Sequence, residues 1–162
     1  MPVSPIPSGY TSVTPYLIVR DAAKAIEFYK RAFDATELMR FADPQGRIGH
    51  AELRIDNAVV MLAEETPVMG YRGPLALGGT PVSLLLCVND VDAQFEQALA
   101  AGAGSKRAVA DQFHGDRTGT LLDPYGHEWS LATHIEDVSV DEMRRRHDAM
   151  MQGAGMTGGP AR

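Results

Sequence analysis

Val82-Ser83-Leu84-Leu85-Leu86-Cys87-Val88-Asn89-Asp90-Val91-Asp92 restates a design already used by Pro15-Tyr16-Leu17-Ile18-Val19-Arg20-Asp21-Ala22-Ala23: an apolar strand ending in an aspartate that opens a helix. Asp21 and Asp90 lie 69 positions apart, and the same offset separates Val60-Met61-Leu62-Ala63 from Trp129-Ser130-Leu131-Ala132. Between them, Gly46-Arg47-Ile48-Gly49 is echoed by Asp116-Arg117-Thr118-Gly119. A supersecondary unit written twice predicts a pseudo-symmetric fold.

Each copy reads as strand, helix and three strands. In the first, residues 13–19 are strand-like and Asp21 can cap the helix that follows, its carboxylate accepting free N–H groups of the first turn. Ala25, Ile26, Tyr29 and Phe33 fall on one stripe of residues 22–33, the spacing of an amphipathic helix. Strands over residues 36–41, 48–55 and 58–63 follow, separated by Asp43-Pro44-Gln45-Gly46 and Asp56-Asn57. The second copy gives a strand at 82–88, a helix at 91–101 closed by Gly102, and strands near 106–112, 117–122 and 128–133, with Asp123-Pro124-Tyr125-Gly126 as a turn. Ser139-Val140-Asp141-Glu142 has the pattern of a capping box and starts a final helix.

The fold class predicted is α+β: two tandem βαβββ modules forming a curved cup, plus a C-terminal helix. The organisation expected is a flexible N-terminal arm over residues 1–12, modules over 13–66 and 81–134, a Pro- and Gly-rich linker at 67–80, the C-terminal helix at 135–151 and a flexible Gly-rich tail at 152–162.

Composition bounds the function. The 162 residues suffice for one well-buried core or two small modules sharing one. A net charge of −6 argues against nucleic acid, which requires a clustered basic surface. The basic run Arg144-Arg145-Arg146-His147 is interleaved with Asp141, Glu142 and Asp148 and reads as a solvated face. One cysteine cannot form an internal disulfide, no window approaches a membrane-spanning apolar run, and the first residues lack the pattern of a signal peptide. Together these predict a cytoplasmic protein that binds neither nucleic acid nor membrane, its partners being a small molecule and a second copy of itself.

The repeat, the Asp-headed helix carrying Glu27-Phe28-Tyr29, and the closing Asp123-Pro124-Tyr125-Gly126-His127-Glu128-Trp129-Ser130-Leu131 resemble the vicinal oxygen chelate superfamily of glyoxalase I, bleomycin-resistance proteins and extradiol dioxygenases. Val13-Thr14-Pro15-Tyr16-Leu17, Gly49-His50-Ala51-Glu52-Leu53 and Gly115-Asp116-Arg117-Thr118-Gly119 are similar to its PhnB-like branch. The resemblance covers roughly residues 13–134. It implies a cup in which enzymes of the superfamily hold a metal through one residue from the first and one from the last strand of each module. Carried onto this chain, those positions are Thr14, Met61, Ser83 and Ser130, none of them His, Glu, Asp or Cys. Hydroxyls and a thioether suit Zn, Ni, Mn or Fe(II) poorly, so no metal and no cofactor is expected, and metal-dependent glyoxalase or dioxygenase chemistry is not.

Strand alternation adds the rest of the cup. Val13, Leu17 and Val19 are expected toward the helix, leaving Thr14, Tyr16 and Ile18 inside. The same parity brings in His50, Glu52 and Arg54, then Val59, Met61 and Ala63, then Ser83, Leu85 and Cys87, and finally Glu128, Ser130 and Ala132. The ligand-binding set expected is therefore Thr14, Tyr16, His50, Glu52, Met61, Ser83, Cys87, Glu128 and Ser130. His50 and Glu52, two apart on one face, could supply acid or base chemistry, anchor a ligand's polar group, or offer two ligands to a displaced metal. Alternatively they belong to a solvated outer face on which Arg54 makes a surface ion pair. Cys87 is expected to be an inert packed thiol, Trp129 a core residue, and Asp116 and Arg117 a local ion pair. His127 is expected to order its hairpin and His114 to line the cup mouth.

Two functions follow. One is a protein of the bleomycin-resistance type, a homodimer whose cups take a hydrophobic or drug-like molecule without turnover, with exchange of modules or arms between protomers left open. The other is a lyase, isomerase or dioxygenase-type enzyme acting on a small carbonyl compound, with His50 and Glu52 at an atypical or metal-free site.

Overall fold

The computed structural model describes residues 3–155. Strands β1 (Tyr16–Val19), β2 (Thr36–Ala42), β3 (Ile48–Ile55) and β4 (Ala58–Glu64) form one sheet with helix α1 (Ala22–Phe33). After a 3-10 turn at Pro67–Met69 and a short helix α2 (Pro74–Leu77), strands β5 (Ser83–Cys87), β6 (Gly104–Asp111), β7 (Asp116–Leu122) and β8 (Glu128–His134) form the second with helix α3 (Val91–Ala101). The sheet orders β1-β4-β3-β2 and β5-β8-β7-β6 are the same topology. In each, the first strand pairs parallel with the last and the other pairs are antiparallel. The chain is thus a duplicated βαβββ fold with a C-terminal helix, α4 (Val140–Gly155). No helix among the described residues is long and apolar enough to cross a membrane.

Both module helices begin on an aspartate. Asp21 accepts from the Lys24 amide and Asp90 from the Ala93 amide, at 3.3 and 3.0 Å. A second cap comes from the last strand of each module. Glu64 accepts the amides of Asp21 and Ala22, both at 2.7 Å, and Thr133, 69 residues later, accepts the Val91 amide at 2.8 Å. The repeat therefore extends to how free helix N–H groups are satisfied.

α1 and α3 cover one face of their own sheets and pack on each other. Ala25, Ile26, Tyr29 and Phe33 are buried as the helical spacing requires, and they meet Leu53, Leu62, Phe95, Leu121, Trp129 and Leu131 in one core. Trp129 packs against Phe33 with ring centroids 4.7 Å apart and against Tyr29 at 5.6 Å. Inside this apolar core lies a carboxylate, Asp123, 4 % exposed. It accepts from the Tyr29 hydroxyl (2.7 Å), the Trp129 indole (3.0 Å) and the amides of Tyr125 and His127 (2.9 Å each). Four donors replace water, which is what allows the charge to be buried.

Three local expectations are corrected. Val13 is 81 % exposed because β1 begins only at Tyr16, so it never reaches the helix side. Arg117 pairs with Asp92 and Asp111 rather than with Asp116, which is bonded to His134 at 2.7 Å. The Ser139 hydroxyl does accept the Glu142 amide at 3.3 Å, but the Glu142 carboxylate turns to Arg145 and Arg146 instead of closing the box. α4 itself runs from Val140 to Gly155. Of the arm and tail, residues 1–2 and 156–162 lie outside the described residues.

Candidate functional site

The face of the first sheet opposite α1 carries a row fixed by strand register: Tyr16 pairs with Met61, Met61 with Glu52, and Glu52 with Met39. His50, two residues before Glu52 on β3, pairs with Phe41. Alternation puts His50 and Glu52 on the same face, and their side chains meet: His50 Nε2 lies 3.1 Å from Glu52 Oε1. His50 Nδ1 is 3.0 Å from the Tyr16 hydroxyl. The other oxygen of Glu52 accepts from the hydroxyl of Tyr10, on the N-terminal arm.

The four residues form a chain, Tyr16 to His50 to Glu52 to Tyr10. An ionised Glu52 only accepts, so the His50 tautomer that satisfies both contacts has its proton on Nε2, facing Glu52, with Nδ1 accepting from Tyr16. The bonds from Tyr10 and then His50 hold the Glu52 carboxyl below its ordinary value against the opposing effect of burial. Burial, with Tyr71 and Glu52 nearby, pushes the Tyr16 phenol up and keeps it protonated. With Glu52 only 5 % exposed and bonded on both oxygens, the alternative of a solvated face with an Arg54 ion pair does not describe this pair.

Tyr16 stands between two clefts. One, of about 500 Å³, is lined by Ile18, Ala63, Glu64, Met69 and Tyr71 as well. The other, of about 390 Å³, reaches from Pro15 and Ile18 to Pro74, Leu84, His127 and Glu128. His127 does more than order its hairpin: its Nε2 lies 3.1 Å from the Ile18 carbonyl, joining the second module to β1.

The second sheet places its candidates differently. Ser83 pairs with Glu128, which is ion-paired to Lys106, and Leu85 pairs with Ser130, whose hydroxyl is 3.3 Å from that of Thr120. Cys87 is exposed, not packed, because none of the described residues covers this face of β5; Leu85 beside it is 65 % exposed. Of the nine residues expected, Tyr16, His50, Glu52 and Met61 come together on one face, Ser83, Cys87, Glu128 and Ser130 lie on the other sheet, and half-buried Thr14 precedes β1. His114 does not join either group; it lies 3.5 Å from Asp116 at the β6–β7 turn.

A family model described as Glyoxalase/Bleomycin resistance protein/Dioxygenase superfamily matches residues 10–131. The chain belongs to this superfamily. Within the glyoxalase/bleomycin-resistance/dioxygenase superfamily, the uncharacterized protein Mb0911c of Mycobacterium bovis is 48% identical over 136 residues, 82% of this chain and 90% of that protein. The uncharacterized protein Rv0887c of Mycobacterium tuberculosis is equally identical, over 80% of its own length. Among solved structures, TioX from Micromonospora sp. ML1 superposes with a TM-score of 0.61 at 26% identity, covering 77% of this chain and 99% of that one. The PhnB protein from Bacillus cereus shares the fold at a TM-score of 0.60 and 19% identity, over 76% of this chain and 99% of its own.

The metal that the superfamily implies finds a poor donor set here. Thr14, Met61, Ser83 and Ser130 offer three hydroxyls and a thioether, and among the described residues no three His, Cys, Asp or Glu side chains gather in a group that could hold a metal ion. The groups that remain for chemistry or recognition are the phenol, imidazole and carboxylate of Tyr16, His50 and Glu52. Two participants were not foreseen from the sequence. Tyr10 sits in an arm of Pro, Ser and Gly, where its aromatic ring was the one available signal, and Tyr71 sits in the linker.

Proposed function

We propose that this chain is a small-molecule-binding member of the superfamily, of the PhnB-like branch, which takes a hydrophobic or drug-like compound in its cup without a metal. The observation that carries this reading is the apolar cleft lined by Tyr16, Ile18, Ala63 and Met69, whose Tyr16 is hydrogen-bonded to His50 and through it to Glu52. Apolar walls with a few convergent polar atoms are the usual build of such sites.

The working unit in this reading is a homodimer. Support comes from the second sheet, whose face opposite α3 leaves Leu85 65 % exposed and Cys87 uncovered, a surface that a second copy would close. The reading includes a cytoplasmic location, which a free sole thiol fits, and sequestration of an antibiotic as the role of binding. The test is metal content by plasma mass spectrometry after incubation with Ni, Zn, Mn and Fe(II) and desalting. Less than about a tenth of an equivalent of each metal is expected, as the donor types dictate; near-stoichiometric metal that disappears in a His50→Ala, Glu52→Ala double variant overturns the reading.

One observation favours a second reading, an acid–base enzyme acting on a small carbonyl compound. In the Tyr16, His50 and Glu52 chain, the carboxylate orients the imidazole and the imidazole accepts from the phenol. In that reading the Tyr16 hydroxyl turns from His50 Nδ1 to hydrogen-bond a substrate carbonyl oxygen, and the freed Nδ1 accepts the proton lost from the carbon beside that carbonyl, the C–H electron pair passing into an enolate that Tyr16 stabilises. Turnover of a carbonyl substrate that is abolished by Tyr16→Phe and untouched by EDTA selects it.

A further inference from the structure

The N-terminal arm is fastened at an informative place. Residues 3–12 contain neither helix nor strand, and among the described residues, apart from the local bond of the Thr11 hydroxyl to the Val13 carbonyl at 2.6 Å, their hydrogen bond to the rest of the protein is the one that Tyr10 donates to Glu52. The Tyr10 amide bonds back to the Pro7 carbonyl at 3.1 Å, a turn that points the ring at the sheet. Gly9 follows the same path, so close to Arg54 that a methyl group there would stand 3.1 Å from the guanidinium.

The acceptor lies in the candidate site. Glu52 sits between Met61 and Met39 in the row that starts with Tyr16, with His50 on Oε1. Only the arm supplies a donor to Oε2 among the described residues. A buried carboxylate oxygen stripped of its donor is costly, so whatever replaces the arm must bring a donor of its own. The present occupant is a phenol on a flat ring.

We propose that Tyr10 is an internal stand-in for the ligand, and that the cup takes a flat apolar molecule bearing a phenol-type hydroxyl, which displaces Tyr10 from Glu52 Oε2. This rests on the reading of the cup as a small-molecule site. Exchange of one phenol for another conserves the hydrogen bond to Glu52, and release of an arm without secondary structure returns conformational entropy to it. An ether or hydrocarbon of the same shape leaves Oε2 unpaired and is selected against, as in other sites built to bond a substrate hydroxyl.

The test uses the full chain with 2-naphthol and 2-methoxynaphthalene as probes, titrated by calorimetry into the wild type and Tyr10→Phe. Removing the competing hydroxyl is expected to tighten 2-naphthol about tenfold, the worth of one hydrogen bond to a charged acceptor. The methoxy compound is expected to change by less than about threefold, since it cannot use the freed oxygen. Equal 2-naphthol affinity in the two proteins, or an equal gain for both probes, overturns the proposal and leaves the cup reading standing. No saturable binding of either probe also overturns it, and Nile red binding by the same samples then tells whether the cup reading falls with it.

Discussion

The Tyr29 hydroxyl on α1 donates to Asp123 Oδ2 at 2.7 Å, a buried bond between residues 94 apart that ties the first module to the turn before the last strand of the second. Burial, with the Asp123 charge beside it, pushes the Tyr29 phenol well up, so it remains a donor across the accessible pH range. The two βαβββ units are thereby joined through their core as well as through the linker.

Removing either partner is expected to destabilise the protein unequally. Tyr29→Phe deletes one bond to a charged acceptor and leaves Asp123 three donors, a loss of about 1.5–3 kcal/mol. Asp123→Ala strands the Tyr29 hydroxyl, the Trp129 indole and two amides together, and is expected to cost more than about 3 kcal/mol. Urea unfolding monitored by Trp129 fluorescence measures both; equal losses would contradict the role given to the carboxylate.

Glu64 and Thr133 predict a second pair of effects. Thr133→Val removes the acceptor for the Val91 amide and Glu64→Ala the acceptor for Asp21 and Ala22, each expected to cost about 1 kcal/mol, the usual worth of a helix N-cap. Because Asp21 and Asp90 still cap their helices, neither change should alter helix content by circular dichroism.

Gly115 holds φ at +95, and a Cβ there would stand 2.1 Å from the Glu136 carbonyl, which together with Ile135 receives no room to retreat because both their amides bond the Gly115 carbonyl. Gly115→Ala is therefore expected to destabilise by about 1 kcal/mol or more and to release residues 135–139. Amide exchange at Ile135 and Glu136 reads the release; unchanged protection would contradict it.

His134 lies between Asp116 and Asp137, whose hydrogen bonds raise its pKa above 6.5. A raised histidine contributes stability that is fully present below its unfolded pKa and is lost as pH rises through the folded one. Docking of the segment before α4 should thus weaken as pH climbs above about 6.5, the unperturbed value. Carbon-bound proton shifts of His134 give the midpoint, and Asp116→Asn is expected to lower it.

Much of this was legible in the sequence because periodicity and caps are local signals. The α1 stripe of Ala25, Ile26, Tyr29 and Phe33, the start and end of α3 at Val91 and Ala101, and β3 from Ile48 to Ile55 follow from spacing and turn residues alone. His50 and Glu52 fell on one face for the same reason. What alternation does not encode is which face another element covers. Alternation alone therefore predicts packed positions for Cys87 and Val13, yet both lie open, one on an uncovered sheet face and the other before its strand begins. Tyr10 was invisible because its partner, Glu52, is 42 residues away and its own segment carries no periodic pattern.

Binding of the neutral apolar dye Nile red, titrated into the purified protein with and without EDTA, tests the central claim most directly. A metal-free cup predicts saturable, near-stoichiometric fluorescence enhancement that EDTA leaves unchanged and Tyr16→Ala weakens. No saturable binding, or binding that EDTA abolishes, would contradict it.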